Sequence, residues 1–251
     1  MAAAAAAAAR VVRKGGMRTR GAAAAHATIE VEVKCAPPAD VGALRRRVEG
    51  LQGRQLRDVE FRDVYVDTAR SFELSQKDTW LRLRAGTWEL KLPLSDDDAS
   101  ASRTGGEREV FREVVSKDAV AAALAEGNAA GVGCEEAWRD ALGRFEKGSA
   151  PRDSPPQLEE IAAYTTHRLS FHVDGCSVDV DVADYGHGIL EVEKVVNGPG
   201  DVAQAREDVA RVAEAIGASP LPPDTGGKLE AYLRRFRPDV IAVLVANGIL
   251  S

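Results

Sequence analysis

The sequence predicts an α+β domain whose β-sheet closes into a barrel with flanking helices. Alternation of polar and apolar residues, which is typical of strands, recurs in both halves of the 251-residue chain. Segments with helical spacing of apolar residues separate these strands. In seven of the strands one face is charged and the other is apolar. A barrel with the charged face inside and helices covering the apolar face satisfies all three observations.

The first half of the chain alternates strands with helices. Residues 28–34 read T-I-E-V-E-V-K, a strict alternation, and a helix is predicted over residues 39–51 after two prolines. Two short strands flank Ala85-Gly86, a dipeptide that favours a hairpin turn. A helix is expected at residues 117–126 after the cap Ser116. The strands predicted here are residues 28–34, 61–68, 80–84, 87–92 and 107–115, with a loop over residues 95–106.

The second half again contains predicted strands and helices, and it follows a proline-rich linker over residues 148–157. Asp174-Gly175 predicts a tight turn between the first two strands of this half. Residues 201–216 have the spacing of an amphipathic helix. The remaining predicted elements are strands over residues 165–173, 176–182 and 188–196, and helices over residues 227–237 and 239–245.

Composition limits the classes of protein to consider. The hydrophobic fraction of 45% argues against global disorder. A formal net charge of −6 argues against a basic nucleic-acid-binding protein. No run of about 18 apolar residues occurs, so no transmembrane helix is predicted. The three cysteines are too widely spaced for a disulfide framework or a zinc knuckle, which points to a reducing compartment.

The first 28 residues differ from the rest of the chain. They contain five basic residues and no acidic one, within an alanine-rich sequence. Such a leader is typical of an organellar transit peptide, and the alternative is a disordered low-complexity extension. The corresponding locations are the chloroplast or mitochondrion for a transit peptide, and the cytoplasm otherwise. We therefore exclude residues 1–28 from the fold prediction.

The charged faces of the strands are the main functional signal. Side chains two residues apart share a face, so Glu30, Glu32 and Lys34 point to one side and the intervening apolar residues to the other. A solvent-exposed sheet face is the ordinary explanation for any single strand. Across the set, however, carboxylates concentrate on some strands and cations on others, and unpaired buried ions cost several kcal/mol each. A polyphosphate together with Mg²⁺ or Mn²⁺ would balance both groups.

Glu30-Val31-Glu32-Val33-Lys34 matches the ExExK signature of the CYTH superfamily, the triphosphate tunnel metalloenzymes, and the chain resembles this family from about residue 29 to 237. Residues 79–84, 88–93 and 228–238 are most similar to its thiamine triphosphatase branch. Further matching segments, in order, are residues 63–68, 178–186 and 190–193.

The resemblance implies an eight-stranded closed antiparallel β-barrel (tunnel) with flanking helices, and it assigns roles to individual residues. Glu113 and Lys34 are the candidate catalytic residues. Independently of the resemblance, Trp80 shares a strand face with Arg82 and Arg84, which makes it a candidate for stacking on an organic cation at the entrance, with a packing role as the alternative. Lys228 rests on the resemblance alone. The implied metal ligands are Glu30, Glu32, Asp179, Glu191 and Glu193. The implied triphosphate ligands are Lys34, Arg82, Arg84, Lys91, Arg168 and Lys228.

The resulting hypothesis is a metal-dependent hydrolase that cleaves the terminal phosphate of thiamine triphosphate, with Mg²⁺ or Mn²⁺ as cofactor. The alternatives are an inorganic tripolyphosphatase, a class IV-type adenylate cyclase, and a non-catalytic polyphosphate-binding module. The expected partner is a small-molecule triphosphate, with neither nucleic acid nor a membrane, and a monomer is expected. Three segments are predicted: the leader (1–28), the catalytic domain (29–238) and a C-terminal helical tail (239–251).

Overall fold

The computed structural model describes residues 27–94, 103–104, 107–108, 110–127, 131, 134–149, 155–222 and 225–250. The predicted leader lies outside the described residues except for its last two positions, and it stays a prediction. Most of the loop predicted over residues 95–106, and part of the linker over residues 148–157, lie outside them as well.

Eight strands close into an antiparallel barrel, which confirms the predicted fold class. Around the barrel the order is β1-β10-β9-β8-β2-β3-β4-β7, and pairing of β7 with β1 closes the ring. Two further short strands, β5 and β6, form a separate ribbon. In chain order the strands are β1 (Thr28–Cys35), β2 (Arg54–Thr68), β3 (Trp80–Arg84), β4 (Thr87–Pro93), β5 (Arg103–Thr104), β6 (Glu107–Arg108), β7 (Val110–Val115), β8 (Leu158–Val173), β9 (Cys176–Ala183) and β10 (Gly188–Val196).

Helices cover the outside and one end of the barrel. Helix α4 packs on β1 and β10, α2 and α3 pack together on the side of β4, and α5 contacts both β8 and α6. No helix in the described part of the chain is long and apolar enough to cross a membrane. The helices are α1 (Val41–Gly50), α2 (Lys117–Glu126), α3 (Glu135–Glu146), α4 (Val202–Ala215), α5 (Lys228–Phe236) and α6 (Pro238–Ala246).

The barrel is inverted, with its apolar packing on the outside. On β1, Val31 is 1% exposed and belongs to the apolar cluster that includes Val209 of α4. Two strands away around the barrel, Trp88 of β4 packs with Leu124 of α2 and Trp138 of α3. Because strand side chains alternate, outward valines and leucines leave their charged neighbours facing the lumen.

Both predicted hairpin turns are present. Ala85 and Gly86 have φ angles of 46° and 84°, and Asp174 and Gly175 have 49° and 77°. Positive φ at both central residues is the signature of a type I′ turn, whose twist matches that of the flanking strands. These turns fix the register of β3 with β4 and of β8 with β9.

The structure differs from the sequence prediction in four elements. Strand β2 begins at Arg54 instead of residue 61. Residues 54–60 pair with β8 although all are exposed, and their two apolar residues, Leu56 and Val59, do not follow a period of two. Strand β8 correspondingly begins at Leu158. The strand predicted over residues 107–115 is divided between β6 and β7. Helix α3 was not predicted, although Trp138, Leu142 and Phe145 have helical spacing.

Candidate active site

The lumen contains a cavity of about 150 Å³ lined by most of the residues that the sequence singled out. Two predicted residues lie beside it. Asp179 Oδ2 is 2.5 Å from Arg168 Nη1, and Glu113 Oε1 is 3.6 Å from Arg82 Nη2. The lining residues from the prediction are Glu30, Glu32, Lys34, Trp80, Arg82, Arg84, Lys91, Arg168, Glu191, Glu193 and Lys228.

Three carboxylates converge on one side of the lumen, and we call Glu30, Glu32 and Glu193 the acid cluster. Strand pairing of β1 with β10 sets Glu32 opposite Glu193, and the three residues offer oxygens within 4.8 Å of one another. Two lysines border the cluster. Lys91 forms an ion pair with Glu30, and Lys34 donates to Glu32 at 2.6 Å.

The carboxyl groups of the acid cluster lie close enough to shift one another's pKa values. Burial raises the pKa of Glu193 well above its usual value, and repulsion from Glu30 adds to this rise. Burial acts in the same direction on Glu30, but Lys91 and a hydrogen bond with Glu193 lower its pKa to about 2. A bound divalent cation satisfies such a set of oxygens, since carboxylates are the preferred ligands of Mg²⁺. These residues therefore fit the implied metal.

A second group of charges is linked by ion pairs throughout, and we call Arg168, Lys228, Asp179, Asp181 and Glu191 the ion-pair cluster. Arg168 donates to both carboxylate oxygens of Asp181, at 2.7 and 2.6 Å, and to Glu191 at 2.9 Å. The Lys228 ammonium reaches in from α5 and donates to Asp181 at 2.5 Å and to Glu191 at 2.8 Å. Burial would raise the pKa of Glu191, but Lys228 and Arg168 lower it well below its usual value.

The sequence prediction did not include several lumen carboxylates that hold the arginines. Asp63 accepts a bidentate pair from Arg84 at 2.6 and 2.8 Å and is fully buried. Glu89 accepts from Arg82 at 2.7 Å. The alternation of side chains along β2 could have indicated Asp63, because Asp63 shares a face with Tyr65. The Tyr65 hydroxyl accepts a hydrogen bond from Arg82, so this face points into the lumen. Asp181 lies two residues after Asp179 on β9, so alternation places it on the same face as that predicted residue.

Trp80 stands at one end of the cavity, where the lining changes from charged to apolar. Its indole Nε1 donates to Asp78 Oδ1 at 3.0 Å, which fixes the ring against rotation. Tyr65 and Leu229 line the same cavity, and all three residues belong to one apolar cluster. This end of the lumen therefore offers a flat ring and aliphatic carbon beside the charged wall.

A closed barrel with an acid cluster facing arginines and lysines has the chemistry suited to a polyanion bound together with a cation. The chain belongs to the CYTH domain family, whose model matches residues 28–221. This confirms the resemblance drawn from the ExExK signature.

Within that family the chain is similar to curated thiamine-triphosphatases. It is 30% identical over 224 residues to the human thiamine-triphosphatase, covering 85% of this chain and 88% of the relative. The same identity and coverage hold for the Macaca fascicularis thiamine-triphosphatase. Among solved structures, the PH1819 protein of Pyrococcus horikoshii shares the fold, with a TM-score of 0.52, 17% identity, and coverage of 82% of this chain and 99% of that one. The family and the curated relatives support a triphosphatase-type enzyme.

Proposed function

We propose that the protein hydrolyses thiamine triphosphate to thiamine diphosphate and phosphate, with Mg²⁺ or Mn²⁺ as cofactor. The observation that carries this proposal is the acid cluster of Glu30, Glu32 and Glu193, buried opposite basic side chains in one closed lumen. Simple anion binding needs no such cluster, which argues against a non-catalytic polyphosphate-binding module.

The lumen side chains form two groups, one suited to the cation and one suited to the phosphate chain. Glu30, Glu32 and Glu193 would hold the cation, and Asp179 and Glu191 are further candidate ligands nearby. A divalent cation bound there would supply charge neutralisation at the phosphate oxygens. Arg82, Arg84, Lys91, Arg168, Lys34 and Lys228 would hold the phosphate chain, since guanidinium and ammonium groups match its oxygens.

Two residues are proposed to act on the reacting atoms. Water attacks the terminal phosphorus in line, the bond from this phosphorus to the bridging oxygen breaks, and thiamine diphosphate leaves with that oxygen. Burial and the nearby Glu30 raise the pKa of Glu113, so this carboxyl is suited to orient water or accept its proton. Lys34, which donates to Glu32 at the acid cluster, is suited to bind phosphate oxygens as charge develops.

Trp80 is the proposed contact for the thiazolium ring. A cationic heterocycle placed over an indole is attracted by the ring's quadrupole, and the hydrogen bond to Asp78 keeps the indole oriented. We expect Trp80→Ala to lower kcat/KM for thiamine triphosphate about 10-fold and to leave hydrolysis of tripolyphosphate unchanged. Steady-state kinetics on the two substrates test this. Equal losses for both would show that Trp80 only supports the fold.

Inorganic tripolyphosphate is the second candidate substrate, because the charged residues of the lumen contact phosphate rather than the organic group. An assay should offer purified protein thiamine triphosphate, tripolyphosphate and ATP in parallel, with Mg²⁺ or Mn²⁺, and measure phosphate, diphosphate and cyclic AMP. Phosphate release that is fastest from thiamine triphosphate and stops with a chelator supports the proposal. Faster hydrolysis of tripolyphosphate favours the second candidate, and diphosphate with cyclic AMP from ATP indicates a cyclase.

A further inference from the structure

The end of α6 returns the chain to the mouth of the barrel. Gly248 has a φ angle of 68°, and its N–H donates to the carbonyl of Val245 at 3.0 Å. The N–H of Ile249 donates to the carbonyl of Leu244 at 2.9 Å. These two bonds form a Schellman motif, which ends a helix and reverses the direction of the chain. Residues 249 and 250 consequently fold back instead of continuing away from the barrel.

The helix that carries this turn is firmly anchored. Val240 and Leu244 of α6 are completely buried. At the start of the helix, the Arg237 guanidinium donates to the carbonyl of Glu160 on β8 at 3.1 Å. The position of residues 248–250 is therefore set by contacts that lie outside the lumen.

Ile249 and Leu250 line the same cavity as the charged residues of the lumen. They pack in the apolar cluster that contains Trp80 and Leu229. Their side chains carry no group that binds phosphate. A phosphate chain in the lumen gains nothing from them, whereas an apolar or aromatic group attached to its end would bury carbon surface against them.

We propose that residues 248–250 form an apolar wall that recognises the organic group of the substrate, and thereby select organic triphosphate monoesters over inorganic tripolyphosphate. This inference rests on the proposed function. Trp80 would contact the flat face of the organic group, while Ile249 and Leu250 would exclude water from its edge. Gly248 is required because the turn needs positive φ, which a residue with a side chain adopts at a cost.

The test compares two substrates on the wild-type protein and three variants. The double variant Ile249→Ser/Leu250→Ser and a chain that ends at Gly248 should each lose about 10-fold or more in kcat/KM for thiamine triphosphate. Hydrolysis of tripolyphosphate should stay within about two-fold of wild type, which also reports that the barrel is folded. Val245→Ser is the matched control, because it makes the same type of change at a residue of α6 that is 46% exposed. It should leave both activities unchanged.

Two outcomes would overturn the inference. One is an unchanged ratio of the two activities in the double variant and the shortened chain. The other is an equal loss on both substrates, which would mean that the segment only supports the fold. Wild-type protein that hydrolyses neither substrate refutes the proposed function instead. Calorimetric binding then decides the inference, since the double variant should still bind thiamine triphosphate more weakly and tripolyphosphate as before.

Discussion

The acid cluster and the ion-pair cluster occupy the same lumen but differ in how their carboxyl groups are paired. In the ion-pair cluster, Asp181 and Glu191 each accept from both Arg168 and Lys228. In the acid cluster, the carboxyl group of Glu193, whose pKa is raised, donates a hydrogen bond to the carboxylate of Glu30. The difference arises from strand neighbours, because Arg168 on β8 faces Asp181 on β9, whereas Glu32 on β1 faces Glu193 on β10.

This difference distinguishes residues that mainly stabilise the folded protein from residues that would mainly bind the cation. Buried charges that satisfy one another hold strands and helix α5 together, and removal of one partner leaves the other uncompensated. Carboxyl groups held close together raise the free energy of the protein without metal. A bound cation would relieve this repulsion and so stabilise the folded state. The ion-pair cluster would then contribute to the stability of the barrel as well as to phosphate binding, whereas the acid cluster would contribute mainly to cation binding.

The largest effect is expected at the acid cluster. Glu193→Gln keeps the shape of the side chain but removes a charge that would hold the cation, so we expect kcat to fall about 1,000-fold. Stability without added metal should be about unchanged, because the amide of Gln can donate to Glu30 as the protonated carboxyl of Glu193 does. Phosphate-release kinetics and urea unfolding measure the two quantities. A variant that is both inactive and strongly destabilised would contradict the separation of roles.

The opposite pattern is expected at the ion-pair cluster. Asp181→Asn leaves Arg168 and Lys228 with less compensation in a fully buried position, and we expect a loss of about 3 kcal/mol in the free energy of unfolding. Urea unfolding without added metal gives this value. Ser177→Ala, at a half-buried position of the same strand, is a suitable control. A loss no larger than in that control would show that Asp181 contributes little.

A smaller and pH-dependent effect is expected at Asp63. Burial would raise its pKa, but the hydrogen-bonded Arg84 holds it below the usual value. Because the pKa is lowered in the folded state, the stabilisation is complete above about pH 4 and is lost as the pH falls below it. Asp63→Asn should therefore cost about 2 kcal/mol at pH 7, less than Asp181→Asn since Arg84 keeps Glu89 at 3.9 Å. Unfolding curves of both proteins should converge at lower pH, and a constant difference would refute this account.

Sequence reasoning was sufficient for the faces of the strands but not for the partners within the lumen. A period of two residues assigned Glu30, Arg82 and Arg168 to the interior without knowledge of the barrel. Which carboxylate each cation meets depends on strand order and register, which link residues far apart in sequence. The pairing of Arg84 with Asp63 across β2 and β3 is one such case.

Helical residues show a different limit. Lys228 enters the lumen because α5 lies across one end of the barrel, and no periodicity within residues 228–236 indicates that position. Only the resemblance to the family pointed to it. Helix α3, by contrast, could have been predicted, since its buried residues Trp138, Ala141 and Leu142 have helical spacing.

The smallest effect is expected on the outer surface, where ion pairs are exposed to water. Glu135 pairs with Arg139 one turn later in α3, and their side chains are 47% and 43% exposed. Solvent screening removes most of the attraction between such charges, and Arg139 keeps Asp118 as a second partner. We therefore expect Glu135→Gln to shift the thermal midpoint by less than about 1 °C, as calorimetry can measure. A shift as large as that of Asp181→Asn would mean that burial does not distinguish the lumen pairs from the surface pairs, and the contrast between the two lumen clusters would then need another cause.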